Sequence, residues 1–170
     1  VFEVRDLWPE FAITTGVLNS KSIIKWAYKY EKSVYMRCDK LVLLTPAFEK
    51  DVKSRFGFLN GKTEVITNAA DFGFVWPDEE IRLAKREELG FQDKVVFMYT
   101  GAHGLANGLE QVVEAADKLR SNASIHFVLV GGGMMKEELK RKVKTLDLKN
   151  ITFIDPVPKE RINEYLNAAD

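Results

Sequence analysis

The chain has 170 residues, 46% hydrophobic and 29% charged, the balance of a folded globular protein rather than a disordered one. Lys+Arg and Asp+Glu both total 25, so no overall charge points to nucleic acid. One cysteine, Cys38, excludes an internal disulfide framework and fits a reducing compartment, and two histidines beside it make a zinc site of the usual ligand set unexpected.

In chain order, VFEV at Val1–Val4 is apolar and β-prone, and RDLWPE follows it as a loop broken by Pro9. From Lys21 to Cys38 apolar residues recur at helical spacing (Ile23, Trp26, Ala27, Tyr30, Val34, Cys38), with Lys21, Lys25, Lys29 and Lys32 on another face. LVLL at Leu41–Leu44 reads as a buried parallel strand, and Thr45-Pro46 open a helix that ends near Gly57. Glu64–Thr67 predict a short strand. FGFVWPD then lacks any period and reads as a linker, with a domain boundary near Asp71.

Beyond the linker the alternation is regular. Helix is expected over about Asp78–Leu89 with Gly90 as its stop, strand over Val95–Gly101, and helix over about Asn107–Leu119. Strand follows over Ser124–Gly133, a basic helix to about Leu146, strand over Ile151–Asp155, and a helix beginning near Pro158. Strand and helix in this rhythm predict βαβ units and a parallel sheet, with ligands outside the carboxyl ends of the strands. Three strands make an incomplete doubly wound domain, and the chain also lacks a starting Met and a secretory signal. It is therefore expected to be a piece of something larger. Residues 1–70 carry 11 basic and 8 acidic side chains and residues 71–170 carry 14 and 17, so the net charge changes sign across the boundary.

Five places could carry chemistry. Gly101-Ala102-His103-Gly104-Leu105-Ala106-Asn107-Gly108 lies between a strand and a helix, where free backbone N–H groups and the positive helix end suit a diphosphate; a plain tight turn fits the spacing equally. Gly131-Gly132-Gly133 departs from the G-x-G-x-x-G dinucleotide fingerprint and reads as a turn that shapes the pocket, which sets an oxidoreductase aside. Pro156-Val157-Pro158 form a rigid loop able to hold a flat base, or simply start a helix. Arg5-Asp6 leave the first strand at the ligand edge, where Arg could clamp a phosphate and Asp orient a sugar hydroxyl; a surface salt bridge is the alternative. The basic, aromatic Lys21–Arg37 helix suits an anionic membrane surface, or packs by its aromatic face with solvated lysines opposite.

Taken together, VRDLWPE, LTPAFEKDV, VITNAAD, YTGAHGLANGLEQVVEAADKL, HFVLVGGG and FIDPVPKERINEYLNAAD resemble, in order, the retaining glycosyltransferase family four, above all bacterial enzymes of capsule, O-antigen and related surface glycans. The resemblance implies an α/β GT-B fold of two Rossmann-like parallel sheets, both domains incomplete. Residues 1–70 would be the latter part of the N-terminal acceptor-side domain, and 71–170 the first part of the C-terminal donor-binding domain. Gly101, Ala102, His103, Gly104 and Asn107 would hold the donor diphosphate, Pro156, Val157 and Pro158 would meet the nucleotide base, and Arg5 and Asp6 would lie by the transferred sugar.

The implied reaction moves a sugar from a nucleotide-diphosphate donor, a UDP-hexose or UDP-N-acetylhexosamine, to a lipid-linked or glycan acceptor with retention. It implies no metal and no cofactor, no nucleic-acid partner, and a cytoplasmic protein in peripheral contact with the inner face of the cell membrane. The sequence departs from the family at Ala102 and Asn107, where many members carry Arg and Lys, and at Asn68-Ala69 in place of Asn-Gly. His103 and the backbone are then expected to do more. The paired glutamates of the family are not among these residues, so the piece alone is expected to be inactive. An epimerase of the same fold and a non-catalytic binding module are the alternative readings.

Overall fold

The computed structural model describes every residue except Phe72, so that position of the expected linker lies outside the described residues. The chain divides into two compact units, Val1–Ala69 and Ala70–Asp170, each with its own three-stranded sheet.

In the first unit, strands β1 (Phe2–Val4), β2 (Leu41–Leu43) and β3 (Thr63–Val65) pair in that order, all parallel. Helices α1 (Glu10–Thr14) and α2 (Lys21–Arg37) lie between β1 and β2, and α3 (Pro46–Arg55) between β2 and β3. The sequence reading had no α1. Its first turn is built on Pro9, and its five residues are too few to show a period. Thr45 caps α3 as its side chain accepts from the Phe48 amide at 3.1 Å, with Pro46 at the first turn where no N–H is needed. Leu41 and Leu43, alternate residues of β2, are wholly buried and meet Val4, Tyr35, Val52 and Leu59 in one core.

One helix turns out differently from its pattern. The residues α2 buries are Glu31 and Tyr35, whereas Trp26, Tyr30 and Ile23 stand 63%, 60% and 52% exposed. Glu31 goes inward because Arg55 meets it through two hydrogen bonds of 2.7 and 3.0 Å, which satisfies a charge that burial would otherwise penalise.

The second unit holds α4 (Glu79–Leu89), β4 (Val95–Thr100), α5 (Glu110–Lys118), β5 (Ile125–Val130), α6 (Lys136–Thr145), β6 (Ile151–Ile154) and α7 (Ile162–Ala168). The sheet order is β4-β5-β6, again parallel. β5 is covered on both faces: Phe127 and Leu129 join Val113, Ala116 and Leu139 on one side, Val128 and Val130 join Phe91, Val96 and Tyr165 on the other. Two starts move relative to the sequence reading. The segment Leu105–Asn107 is a 3-10 turn and Gly108 is left-handed (φ 61°), so α5 begins at Glu110 rather than near Asn107. Likewise a 3-10 turn at Lys159–Arg161 delays α7 to Ile162.

The linker end is tied down by α7. Asn163 Oδ1 accepts from the Trp76 amide at 3.0 Å, Asn167 donates to the Trp76 carbonyl at 3.0 Å, and Asn167 Oδ1 accepts from the Asp78 amide at 2.7 Å. Asp78 in turn caps α4 by accepting from the Ile81 amide, and Gly90 (φ 72°) stops the helix. Asp170 closes the unit: its carboxylate takes the Val96 amide at 2.8 Å and Arg86 at 2.9 Å, with Arg82 at 2.5 Å.

His103 is the anomaly of this core. Its ring is fully buried between Tyr99 and Phe153, centroids 6.2 Å from each, and among the described residues neither ring nitrogen has a hydrogen-bond partner. Burial, with Lys136 and Lys140 adding like charge, holds its pKa below the ordinary value. His126 is likewise pushed down by burial and Lys94, although Nε2 has Thr152 Oγ1 at 2.8 Å.

Two stability predictions follow from these groups. A histidine whose folded pKa is depressed stays neutral in the fold, so stability is intact above the unfolded pKa of about 6.5 and declines as pH falls below it. The melting temperature of His103→Phe should fall less steeply than that of the parent between about pH 6.5 and 5; parallel curves would refute the assignment. The Asp170 pKa is lowered to about 2, by the Val96 amide and by Arg86 and Arg82 against opposing desolvation, so its contribution is present above about pH 4 and lost as pH falls toward 2. Asp170→Asn should cost about 1–2 kcal/mol at neutral pH in denaturant melts, discounted for a carboxylate near one-third exposed, and the gap from the parent should close in acid.

Candidate functional site

Parallel pairing in register sets the ends of β4, β5 and β6 side by side, Thr100 beside Val130 and Val130 beside Ile154. Three loops leave this edge, and between them opens a cleft of about 450 Å³. Gly101 and Ala102 from the first loop, Gly131 and Gly132 from the second, and Pro156 and Val157 from the third line it. It lies outside the carboxyl ends of parallel strands, the usual ligand edge of such sheets.

The loops are held by a ladder that continues past the strands. The Gly101 amide donates to Val130 O at 3.0 Å, the Gly131 amide to Ile154 O at 3.0 Å, and the His103 amide to Gly132 O at 2.8 Å. The second loop crosses the first so closely that only glycine fits. A Cβ at Gly131 (φ 140°) would lie 2.0 Å from the Gly101 carbonyl oxygen, and one at Gly133 (φ 150°) 2.6 Å from that of His103. Gly132 differs: its Cβ would meet the Pro156 ring, Cγ at 3.0 Å and Cδ at 3.6 Å, across the cleft. The triple glycine, read from sequence as a turn that shapes the pocket, is what allows the two loops to touch.

Among the described residues, no protein acceptor faces the amides of Ala102 and Gly132, both at the cleft. Oriented, unpaired N–H groups in a concavity are suited to anions. A buried cation holds the ends of the second and third strands. Lys136, with only 8% of its side chain exposed, donates from Nζ to Gly131 O at 2.7 Å, Ile154 O at 3.0 Å and Asp155 Oδ1 at 2.7 Å. That contact holds the Asp155 carboxyl below its usual range. Sequence reasoning missed Lys136; the signal was the basic residue three positions after the glycines, at the first position of α6.

The structure brings Gly101, Ala102, Pro156 and Val157 together and sets the other expected residues apart. Gly104 and Asn107 close on each other, the Gly104 amide donating to Asn107 Oδ1 at 3.2 Å and the Asn107 amide to Gly104 O at 3.1 Å. Pro158 leads into the 3-10 turn and is not in the cleft lining. The His103 ring, expected to offset the missing Arg and Lys, is buried under the turn instead. Only its backbone takes part, through the bond to Gly132 O and from the Met135 amide at 3.0 Å.

In the first unit, Arg5 and Asp6 follow β1 and line an apolar groove of about 640 Å³ together with Trp8, Trp26 and Tyr30. The Arg5 guanidinium lies 3.7 Å from Glu3, both side chains exposed, a weak surface contact.

Residues 81–170 match the family model described as "Glycosyl transferases group 1". Over 71 residues the chain is 39% identical to WcaI of Escherichia coli (strain K12), assigned to glycosyl transfer in colanic acid biosynthesis; the match takes in 41% of this chain and 17% of WcaI. Among solved structures, WaaG, a glycosyltransferase involved in lipopolysaccharide biosynthesis, superposes with a TM-score of 0.77 at 14% identity over 99% of this chain and 48% of WaaG. Anabaena Alr3699/HepE in complex with UDP-glucose gives 0.66 at 17% identity over 78% of this chain and 37% of that protein. The chain thus spans less than half the length of each relative, and its two parallel α/β units have the fold of GT-B glycosyltransferases. With the matched region covering more than half its length, the chain belongs to the group 1 glycosyl transferases.

Proposed function

We propose that Ala70–Asp170 is the donor-binding part of a retaining, family-four glycosyltransferase and that its cleft takes the diphosphate and base of a UDP-sugar. The observation that carries this reading is the convergence of three strand ends on one cleft with two unpaired amides and a lysine held on the Gly131 carbonyl. The diphosphate would rest against the Ala102 and Gly132 amides, with the Gly104–Asn107 turn and the start of α5 beyond it. Val157, between two prolines, would present its backbone to the base, as a rigid loop can without an entropy cost at binding.

Charge develops on the departing diphosphate as the glycosidic bond to the donor breaks. Preorganised N–H dipoles and a nearby cation stabilise it without reorganising at that moment. In this chain Lys136 is that cation, in place of the Arg and Lys that Ala102 and Asn107 replace. Its three present acceptors keep the ammonium aimed at the strand ends, and a phosphate oxygen would compete for the proton now given to exposed Asp155.

Val1–Ala69 is, in this reading, acceptor-side, with Arg5 and Asp6 beside the transferred sugar. The whole enzyme would act on a lipid-linked or glycan acceptor in bacterial surface-polysaccharide synthesis; kinship with WcaI supports that setting. The family match disfavours the epimerase and binding-module alternatives. For this chain nucleotide binding is the readout, since turnover belongs to the longer enzyme.

Calorimetric titration should find UDP bound and GDP bound more weakly. Gly132→Ala, whose Cβ enters the cleft against the Pro156 ring, should weaken UDP at least about tenfold, with circular dichroism checking that the fold is kept. Normal UDP affinity in that variant would remove the site from this cleft. Gly131→Ala, in contrast, should cost roughly 2–3 kcal/mol of stability, since its Cβ meets backbone and no side chain can yield. Lys136→Met should weaken UDP far more than uridine; equal losses would mean that Lys136 is only a strut.

A further inference from the structure

The His103 ring is a group that neither the packing nor the proposed donor chemistry requires. It is fully buried against Tyr99 and Phe153, and among the described residues neither Nδ1 nor Nε2 has a partner. An apolar side chain would fill the same space without stranding polar atoms, so the imidazole carries a cost that the fold does not explain. Protonation raises that cost. An imidazolium adds a second N–H donor and a full charge where neither finds an acceptor.

The surroundings add only like charge. Strands β4 and β6 contain no charged residue, and the Tyr99 hydroxyl donates to the Ala102 carbonyl at 2.9 Å. The loops Gly101–Gly108 and Gly131–Met135 carry no charged side chain either. Helix α6 brings Lys136 and Lys140, and both disfavour a cation at His103. Each already has a carboxylate, Lys136 on Asp155 at 2.7 Å and Lys140 on Glu137 at 3.1 Å. Glu138 of α6 and Glu110 and Glu114 of α5 are exposed, and His126 lies on the other face of the sheet against Phe91.

The ring is tied to the cleft through its own backbone. The His103 amide donates to Gly132 O at 2.8 Å and its carbonyl accepts from the Met135 amide at 3.0 Å, so this residue fastens the first loop to the second. The Ala102 and Gly132 amides at the cleft belong to the same two loops. We infer that His103 is a pH-sensitive latch: its neutral ring keeps the two loops in the arrangement that receives a nucleotide diphosphate, and its protonated ring leaves the pocket and parts them. His103 is thus a positioning residue, acting through Gly132 and touching no donor atom. Its folded pKa lies below the ordinary value, so the latch is closed at neutral pH and above and opens as pH falls below about 6.5. The nucleotide part of the inference rests on the donor-cleft reading, whereas the movement of the loops does not.

Nuclear magnetic resonance of the 170-residue chain between pH 8 and 5 tests the latch without any ligand. The chain has two histidines, so the ring signal missing from His103→Phe identifies His103. That signal should titrate below the ordinary histidine range, and the Gly132 and Met135 amide signals should move with the same midpoint. Calorimetry with UDP then reads the consequence. Between pH 7.5 and 5.5 UDP affinity should fall about three- to tenfold more in the parent than in His103→Phe, tenfold being the limit for one proton at a group that titrates near 6.5 once released. Each protein is compared with itself across pH, so titration of UDP cancels, and His103→Leu replaces the variant if the larger ring disturbs packing. Far-UV circular dichroism of the parent should stay flat over this range. Loop amides that do not follow the ring, parallel UDP profiles in parent and variant, or helix lost with the same midpoint would overturn the latch. Failure of the parent to bind UDP even at pH 8 would instead strike the donor assignment, and the ring and loop signals would still decide the latch.

Discussion

The second unit depends on one crossing of backbones. Two loops from neighbouring parallel strands pass within contact at Gly131 and Gly101, a distance that no Cβ permits. Parallel strands 4.7–4.9 Å apart normally deliver their following loops with side chains between them. Removing those side chains at Gly131 and Gly133 lets the hydrogen-bond ladder run on beyond the sheet as far as His103. The cleft is what remains beside this extended ladder, bounded by Gly132, whose Cβ would press on the Pro156 ring across the cleft and not on backbone.

Charge in this unit is arranged around the same economy. Three cations are almost fully buried, and each has enough oxygen partners to offset its desolvation. Lys85 meets Glu88 and Glu164 and lies over the Tyr165 ring. Arg86 meets Asp170 and the carbonyls of Ala168 and Lys94. Lys136 alone spends its partners on strand ends at the cleft and on a carboxylate that water already solvates. Lys85 ties α4 to α7 and Arg86 ties α4 to the segment before β4 and the chain after α7, whereas Lys136 ties the start of α6 to the ends of β5 and β6.

Much of this architecture was legible in the sequence because its signals are local. Continuous apolar runs gave the strands, Thr45-Pro46 and Gly90 marked helix ends by their own chemistry, and the glycines and prolines at strand exits marked the ligand edge. What the sequence concealed was set by tertiary partners. The start of α5 slid three residues because Gly108 takes a left-handed turn after the Gly104–Asn107 closure. Glu31 displaced the aromatic stripe from the buried face of α2 because Arg55, 24 positions later, reaches it. His103 looked like a phosphate ligand from its place between glycines, yet the close approach of Gly133 to its carbonyl accompanies a ring turned under the loop. Lys136 was passed over as one more lysine of a basic helix, since burial cannot be read from a charge run.

The clasp of Asn163 and Asn167 on Trp76 and Asp78 bears on how the protein can be dissected. These bonds make the last residues of an otherwise unpatterned connector part of the second unit's own hydrogen-bond inventory. A boundary drawn at α4, where regular structure resumes, would sever them and leave two asparagine side chains of α7 without the backbone they were shaped to meet. The mechanical edge of the unit lies upstream of Trp76, in residues that secondary structure alone would have assigned to no unit at all.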